Sequence, residues 1–402
     1  MWNVQVGDVT EIDLECTTYC NLACPECNRT TDVDLLSPIL NTTHITLENC
    51  RTWFKPSELT SLKDIRFCGA IDEALMNPEL TDILDFFLDE FQIKYIDIRT
   101  NGSVRSTKWW SNFVNHLPEK HIIIFGLDGL EDTLDIYRVG ADYKKVIDNA
   151  KAFIDAGGIA SWQFIEFEHN KHQVEEAREI AKELGFKEFR VVSSTRPTQS
   201  ENLDHVRKDG SINKVSTDVR NDDTPPVKKP LALIKEVTNV EKKQTQEPVQ
   251  EPVQEPVQEP VQELVLVRKN KKKQKATIRC ENQGHGSGNR ILVNALSQVA
   301  PCCFLNGYFQ QPYGFNKNVE NVDKPPFSFY GQPVFANLFH KHKDSENELT
   351  AISLEYNTLK DILEGPFFAD IQNTWSTENP VERCLEVCGK DIKDDMTMDY
   401  FE

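Results

Sequence analysis

Cys16, Cys20, Cys24 and Cys27 stand within twelve positions of the stretch ECTTYCNLACPECNRT, residues 15–30. Thiols so closely grouped in a reducing compartment suit metal better than disulfides. Cys20, Cys24 and Cys27 have the spacing C-x3-C-x2-C. Structural zinc closes with four ligands, drawn from cysteine pairs two to four residues apart or from histidines. A [4Fe–4S] cluster held by three cysteines instead leaves one iron without a protein ligand, open to a substrate or cofactor. An open iron implies chemistry. Cys16, four residues ahead of the triad and at the end of a strand, reads as a buried structural thiol.

The chain holds 11 cysteines. Cys280, Cys302, Cys303, Cys384 and Cys388 form a second group, drawn from three separated places, as expected where a metal ties irregular loops together. Four thiolates satisfy zinc as well as an iron–sulfur cluster. Cys302 and Cys303 are adjacent and point in different directions, so only one of them binds a given metal. Cys50 and Cys68 stand apart, and packing is the expected role of Cys68.

The elements that position the first group are legible upstream of residue 195. EIDLEC, DIRFCG, KYIDIRTNG, HIIIFGLDG, SWQFIEFE and FRVVSS read as short β-rich strands. Between them ELTDILDFFLDEF, STKWWSNFVNHL, DYKKVIDNAKAFIDAGG and QVEEAREIAKELG have helical spacing, and the last two end at glycine. Six strands with intervening helices predict a parallel α/β sheet, either a partial barrel or a doubly wound sheet. In both, chemistry sits at the C-terminal ends of strands, where the cysteine loop falls.

Residues 196–275 change character and contain QEPVQEPVQEPVQEPVQEL. Proline at every fourth position blocks regular pairing, and too few apolar groups are present to offset ordering entropy, so a disordered linker is expected. The basic run RKNKKKQK reads as its solvated end. Order is expected to resume at 276, with a hairpin in NRILVNALSQVAPCC and one or two short helices in TLKDILEGPFFADIQNTW. The expected domains are therefore 8–195, 196–275 as linker, and 276–402. Lys plus Arg number 45 against 64 Asp plus Glu, a formal charge of -19. That balance argues against general affinity for nucleic acid or an anionic membrane. With no basic-then-apolar leader and no run of about 20 apolar residues, a cytoplasmic protein is expected.

The triad in the loop after the first strand resembles the radical S-adenosylmethionine (radical SAM) superfamily. The resemblance implies an α/β fold with a partial (β/α)6 TIM-like barrel. It also implies a [4Fe–4S] cluster on Cys20, Cys24 and Cys27 whose open iron is chelated by S-adenosylmethionine, and a reducing electron donor. The cofactor would be cleaved to a 5′-deoxyadenosyl radical that takes hydrogen from substrate. RFCGAIDEALMNPEL is similar to the family's G-G-E-P stretch, here Ile71, Asp72, Glu73 and Ala74. Glu73 would meet the cofactor's amino group, with Asp72 where the family has glycine. IRTNG is similar to the segment near the ribose, which points to Thr100 and Asn101. GLDGLEDTLDIYRVG resembles the region after the fourth strand, where Asp128 and Arg138 would line the cavity, and Gln163 on the fifth strand joins these candidates. Glu26 stands where the family commonly has an aromatic residue. VAPCC and the terminal CLEVC resemble the SPASM or twitch extension, which implies a small C-terminal cysteine-rich domain with an auxiliary [4Fe–4S] cluster on Cys280, Cys302, Cys384 and Cys388. Relatives with such extensions often modify peptides or proteins, the expected substrate class.

His169, Asn170 and His172 follow the fifth strand and read either as substrate contacts or as a polar helix start. His285, in a glycine-rich loop, reads as solvent-exposed. Two other readings compete: a non-catalytic binding module scaffolded by zinc, and an iron–sulfur electron carrier. Carriers usually close their cluster with four cysteines and need no full α/β domain.

Overall fold

The structure is a computed structural model and describes residues 4–25, 27, 29, 42–67, 69, 72–193, 202–206, 212–216, 289–300, 338, 341–342, 350–374 and 397–400. The chain divides into two compact units, Met1–Asn221 with Ala276–Glu402, and Asp222–Lys275; every described residue belongs to the first.

Six strands alternate with helices, as the periodicity predicts. They are β1 (Val9–Leu14), β2 (Asp64–Phe67), β3 (Tyr95–Thr100), β4 (His121–Gly126), β5 (Ala160–Glu166) and β6 (Glu188–Ser193). The helices are α1 (Leu47–Trp53), α2 (Leu80–Glu90), α3 (Thr107–Phe113), α4 (Leu134–Tyr137), α5 (Tyr143–Asp155) and α6 (Val174–Glu183). Helix α1, unforeseen from periodicity, has only seven residues and is fixed at its start by a capping box of Thr46 and Asn49. Helices α5 and α6 end where expected, at Gly157 and Gly185, both in the left-handed region.

All six strands run parallel, and each pairs with the next in sequence. A doubly wound sheet reverses its strand order at a switch point. The unbroken order from β1 to β6 is that of a partial barrel, which decides between the two predicted architectures. Strands β7 (Asn202–Val206) and β8 (Ile212–Ser216) pair antiparallel within the stretch whose composition reads as linker. Beyond it, β9 (Asn289–Val293) pairs parallel with β1 and antiparallel with β10 (Val299–Ala300), so the expected hairpin forms and extends the barrel sheet. Two short helices follow, α7 (Leu359–Leu363) and α8 (Pro366–Thr374), and β11 (Thr397–Tyr400) lies antiparallel to β6. No helix among the described residues is long and apolar enough to cross a membrane.

Successive strand residues point to opposite faces, and here the faces differ sharply. Ile12, Leu14, Ile65, Phe67, Ile96, Ile98, Phe125, Trp162, Phe164 and Phe189 are buried in the core shared with the helices. Rings carry that core across the sheet: Trp110 lies 5.1 Å from Phe125, Phe125 lies 5.9 Å from Phe186, and Phe186 lies 5.5 Å from Trp162. The alternate positions, on the inner face of the barrel, are Glu11, Asp13, Arg66, Asp97, Arg99, Glu188, Arg190 and Arg290. The Glu11 carboxylate lies between Arg66 at 2.7 Å and Arg290 at 2.5 Å. Burial raises Asp13 to about 6 against the pull of Arg290.

His121 opens β4 as a neutral ring: Nδ1 donates to the Pro118 carbonyl at 2.7 Å, and Nε2 accepts from the Ile159 N–H at 3.0 Å. Burial lowers its pKa from 6.5, so the unfolded chain binds a proton on acidification before the folded one does. Its contribution to stability is therefore present above pH 6.5 and is lost as the pH falls further. Urea unfolding of the wild type at pH 7.5 and 5.5 is expected to show a drop that His121→Gln reduces.

Candidate metal and cofactor centre

The cysteine loop leaves β1 at Glu15 and is held by backbone hydrogen bonds from three other parts of the fold. Thr18 N–H donates to Thr43 and Ile45 N–H to Cys16; Glu73 N–H donates to Tyr19 at 2.9 Å; Ala23 N–H donates to Val139 at 3.0 Å. Cys24 to Cys27 closes a turn, Cys27 N–H donating to the Cys24 carbonyl at 3.2 Å, with Pro25 at the position where its fixed φ suits a turn. Arg29 is 5% exposed and clamps the loop, donating to the carbonyls of Thr18 at 3.0 Å and Cys20 at 3.1 Å. Nothing in the cysteine spacing marks Arg29, because its partners are backbone atoms. Cys16 is wholly buried, with its thiol 3.7 Å from the Ala74 carbonyl, as a structural thiol should be.

Glu73, after β2, is 2% exposed. Its Oε1 accepts from Thr100 Oγ1 at 2.8 Å and its Oε2 from the Asn101 N–H at 2.7 Å. Burial raises its pKa to about 7, and those donors together with Arg138 hold it from rising further. Asn101 is the hub of the site. Its Nδ2 donates to Asn21 Oδ1 at 2.9 Å and reaches Cys20 Sγ at 3.6 Å, while its Oδ1 accepts from Ser103 N at 2.9 Å and Oγ at 2.6 Å. Asn21 Nδ2 completes the ring by donating to Ser103 Oγ at 2.8 Å. Gly102 must be glycine: its φ is +70°, and a Cβ would lie 2.7 Å from both Phe125 and Val146.

After β4, Asp128 is fully buried, accepting from Arg138 Nε at 2.6 Å and from the Ile165 N–H at 2.7 Å. The guanidinium lies over Gly126, where a Cβ would come within 2.7 Å of its nitrogen. Burial alone would lower the Arg138 pKa, but Asp128 and the Cys24 thiol more than reverse this. Gln163 is level with Gly126 on β5, half-buried on the inner face. Asn170 serves the same end as Asp128: its amide donates to the carbonyls of Asp128 and Ile165, both at 2.9 Å, so it ties the strand ends together. His169 stacks on Phe167 at 5.4 Å, both ring nitrogens are buried without a partner, and burial lowers its pKa to about 4.

Cys20, Asp72, Glu73, Thr100, Asn101 and the Arg138–Asp128 pair thus gather at the C-terminal ends of β1 to β4. Cys20, Cys24 and Cys27 form no disulfide among the described residues. Burial pushes the Cys20 thiol up to about 12, with Glu73 and Cys24 adding to it. Among the described residues no three His, Cys, Asp or Glu side chains converge as a single ion would require. The triad has an amide donor at Cys20 and the Arg138 cation near Cys24, surroundings that suit anionic sulfur. Asp72 is 7% exposed and neither of its carboxylate oxygens has a hydrogen-bond donor. Burial pushes its pKa well above the usual carboxylate range, and Glu15 and Glu73 add to the rise. A cationic group among these carboxylates would satisfy them. Sequence reasoning missed Glu15, Asn21, Arg29 and Ser103. Cys280, Cys302, Cys303, Cys384 and Cys388, with Glu26, Cys68, Ile71 and His285, lie outside the described residues.

No family model matches the chain, and no curated protein matches it. Solved structures do. The chain is similar to anSMEcpe with bound AdoMet, at 18% identity over 47% of this chain and 52% of that one, with a TM-score of 0.38. It is similar to Streptococcus suis SuiB bound to the precursor peptide SuiA, at 13% identity over 75% of this chain and 61% of that one, with a TM-score of 0.41. It is also similar to BtrN in complex with AdoMet and 2-DOIA, at 17% identity over 39% of this chain and 56% of that one, with a TM-score of 0.29. These structures are of radical SAM enzymes. The chain thus spans about half the length of anSMEcpe.

Asp72 holds its proton more tightly in the folded chain than in the unfolded one, so raising the pH costs stability. Asp72→Asn removes that term. The variant without cofactor is expected to be more stable than the wild type at pH 8, by about 1–3 kcal/mol, and the gap is expected to narrow at pH 6. Denaturant unfolding at both pH values measures it, and a variant less stable at pH 8 contradicts the account.

Proposed function

We propose that this protein is a radical SAM enzyme acting on a peptide or protein substrate. Cys20, Cys24 and Cys27 would hold a [4Fe–4S] cluster, and S-adenosylmethionine would bind beside it. When bound and reduced by an electron donor, this pair supplies a 5′-deoxyadenosyl radical that takes hydrogen from substrate. The observation that carries the reading is the hydrogen-bonded connection from Glu73 through Asn101 to Cys20, which places a buried carboxylate and a thiol of the triad around one amide side chain.

The chain's own residues supply binding and order. Glu73, its oxygens already oriented by Thr100 and Asn101, would receive the cofactor's ammonium with its remaining lone pairs, and Asp72 adds a second carboxylate nearby. Thr100 and Asn101 would face the ribose. Arg138, fixed by Asp128, brings positive charge to the Cys24 side, and Gln163 lines the inner wall below it. An auxiliary [4Fe–4S] cluster on Cys280, Cys302, Cys384 and Cys388 would pass electrons or anchor substrate, the part suggested by the resemblance of the distal cysteines. The reactions of such a centre require a reducing compartment, which agrees with a cytoplasmic location.

The test is anaerobic reconstitution with iron and sulfide, then addition of dithionite and S-adenosylmethionine. The wild type is expected to form 5′-deoxyadenosine and Cys24→Ala none above background. Glu73→Gln is expected to weaken S-adenosylmethionine binding by about tenfold or more, the usual worth of a hydrogen bond to a charged group. A wild type that takes up only zinc, or forms no nucleoside with its clusters full, overturns the proposal.

A further inference from the structure

A closed barrel fills its interior with layers of branched apolar side chains. This partial barrel presents charge there instead. By register, Asp13, Arg66 and Asp97 stand side by side on β1, β2 and β3. One step nearer the cysteine loop, Arg99 is level with Ile124, Ser161 and Glu188 on β4, β5 and β6. Gln163 and Arg190 form the next pair upward.

Three of the four arginines on this face are committed. Arg66 and Arg290 reach Glu11 at 2.7 and 2.5 Å, and Arg190 reaches Glu188. Arg99 differs. Its ion pair with Asp97 is 3.9 Å long, beyond hydrogen-bonding distance, so charge proximity alone joins the two. The Arg99 side chain is 38% exposed, against 26% for Arg66, 22% for Arg190 and 17% for Arg290. Close by on the same face, the Ser161 hydroxyl and Asp13 Oδ1 are buried without a hydrogen-bond partner.

A guanidinium carries five N–H donors in a planar fork that matches a carboxylate edge to edge. Arg99 also occupies a telling place in the chain: it directly precedes Thr100 and Asn101, which bind Glu73 and approach Cys20. A molecule held by Arg99 would lie on the inner face just below the centre described above. Glu11 is held by Arg290 and Arg66, and Asp13 draws on Arg290 and Arg66 ahead of Arg99.

We propose that Arg99 anchors a carboxylate of the substrate, so that the protein selects a peptide bearing a glutamate or aspartate side chain or a free C-terminal carboxylate. The word substrate rests on the radical SAM reading; the carboxylate site itself rests on the inner face alone.

The test uses the full-length, reconstituted protein with S-adenosylmethionine, and calorimetric titration with four probes. These are Ac-Ala-Glu-Ala-amide, its glutamine counterpart, Ac-Ala-Ala-Ala with a free carboxylate, and the same peptide amidated. An acidic probe is expected to bind about tenfold or more tightly than its neutral counterpart. Which acidic probe does so distinguishes a side-chain from a terminal carboxylate. Arg99→Gln is expected to erase the preference, and Arg99→Lys, which keeps charge without the fork, to retain part of it, each with a wild-type circular dichroism spectrum. Equal binding of acidic and neutral probes, or a preference that survives Arg99→Gln, overturns the proposal. So does mutual exclusion of probe and S-adenosylmethionine, because the carboxylate at Arg99 would then be the cofactor's own. 5′-Deoxyadenosine is measured in the same wild-type samples. If none forms while the acidic preference and its dependence on Arg99 persist, the catalytic reading fails and the carboxylate site stands.

Discussion

Glu73 sits out of water among the ends of β1, β2 and β3, and both of its carboxylate oxygens accept hydrogen bonds from the end of β3. Its own N–H holds the Tyr19 carbonyl of the cysteine loop. One residue therefore fixes the separation of three strand ends. The Asn101 ring to Asn21, Ser103 and Cys20 follows from it, because Asn101 is placed by the bond its N–H makes to Glu73. A buried carboxylate is expensive unless donors surround it, and the Thr-Asn-Gly turn provides them at a point where Gly102 lets the backbone come close to Phe125 and Val146. Asp72, the neighbouring residue, has no such donors, which makes it the least satisfied group of the site.

The two faces of the sheet divide the remaining labour. Apolar residues bind the strands to the helices through one continuous core, and this rigid wall carries loops that bear the site. The inner face is charged and partly open, with most of its ion pairs closed among themselves. A site on the ends of parallel strands beside a polar wall can meet polar substrates without disturbing the core that supports it.

Much of this was legible in the sequence because it depends on local periodicity. The six strands and helices α2, α3, α5 and α6 follow from apolar spacing and glycine stops, and the cysteine triad was visible from spacing alone. Strand order then separated the partial barrel from the doubly wound alternative, which periodicity could not do. Contacts between distant residues were hidden: Asn101 meets Asn21 across 80 positions, and Arg29 acts through carbonyls, which carry no sequence mark. Asn170 read as a substrate contact or a helix start, and it does stand at the start of the short helical turn Lys171–Gln173. That its side chain ties together the ends of β4 and β5 was hidden, since a polar side chain looks the same in sequence whether it faces ligand or backbone. β9 formed the expected hairpin with β10, but its place beside β1 was not foreseeable, because nothing local records a pairing across so long a separation.

The central claim is that Cys20, Cys24 and Cys27 hold a cluster with an open iron that meets S-adenosylmethionine beside Glu73. It is tested most directly by electron–nuclear double resonance on the reconstituted, reduced protein, with S-adenosylmethionine carrying 15N in its amino group. The distal cysteines Cys280, Cys302, Cys384 and Cys388 would be replaced by alanine so that only the first cluster contributes. The account predicts a 15N hyperfine coupling that requires direct bonding to iron and disappears in Cys24→Ala. A cluster signal that S-adenosylmethionine leaves unchanged, with no nitrogen coupling, would contradict it.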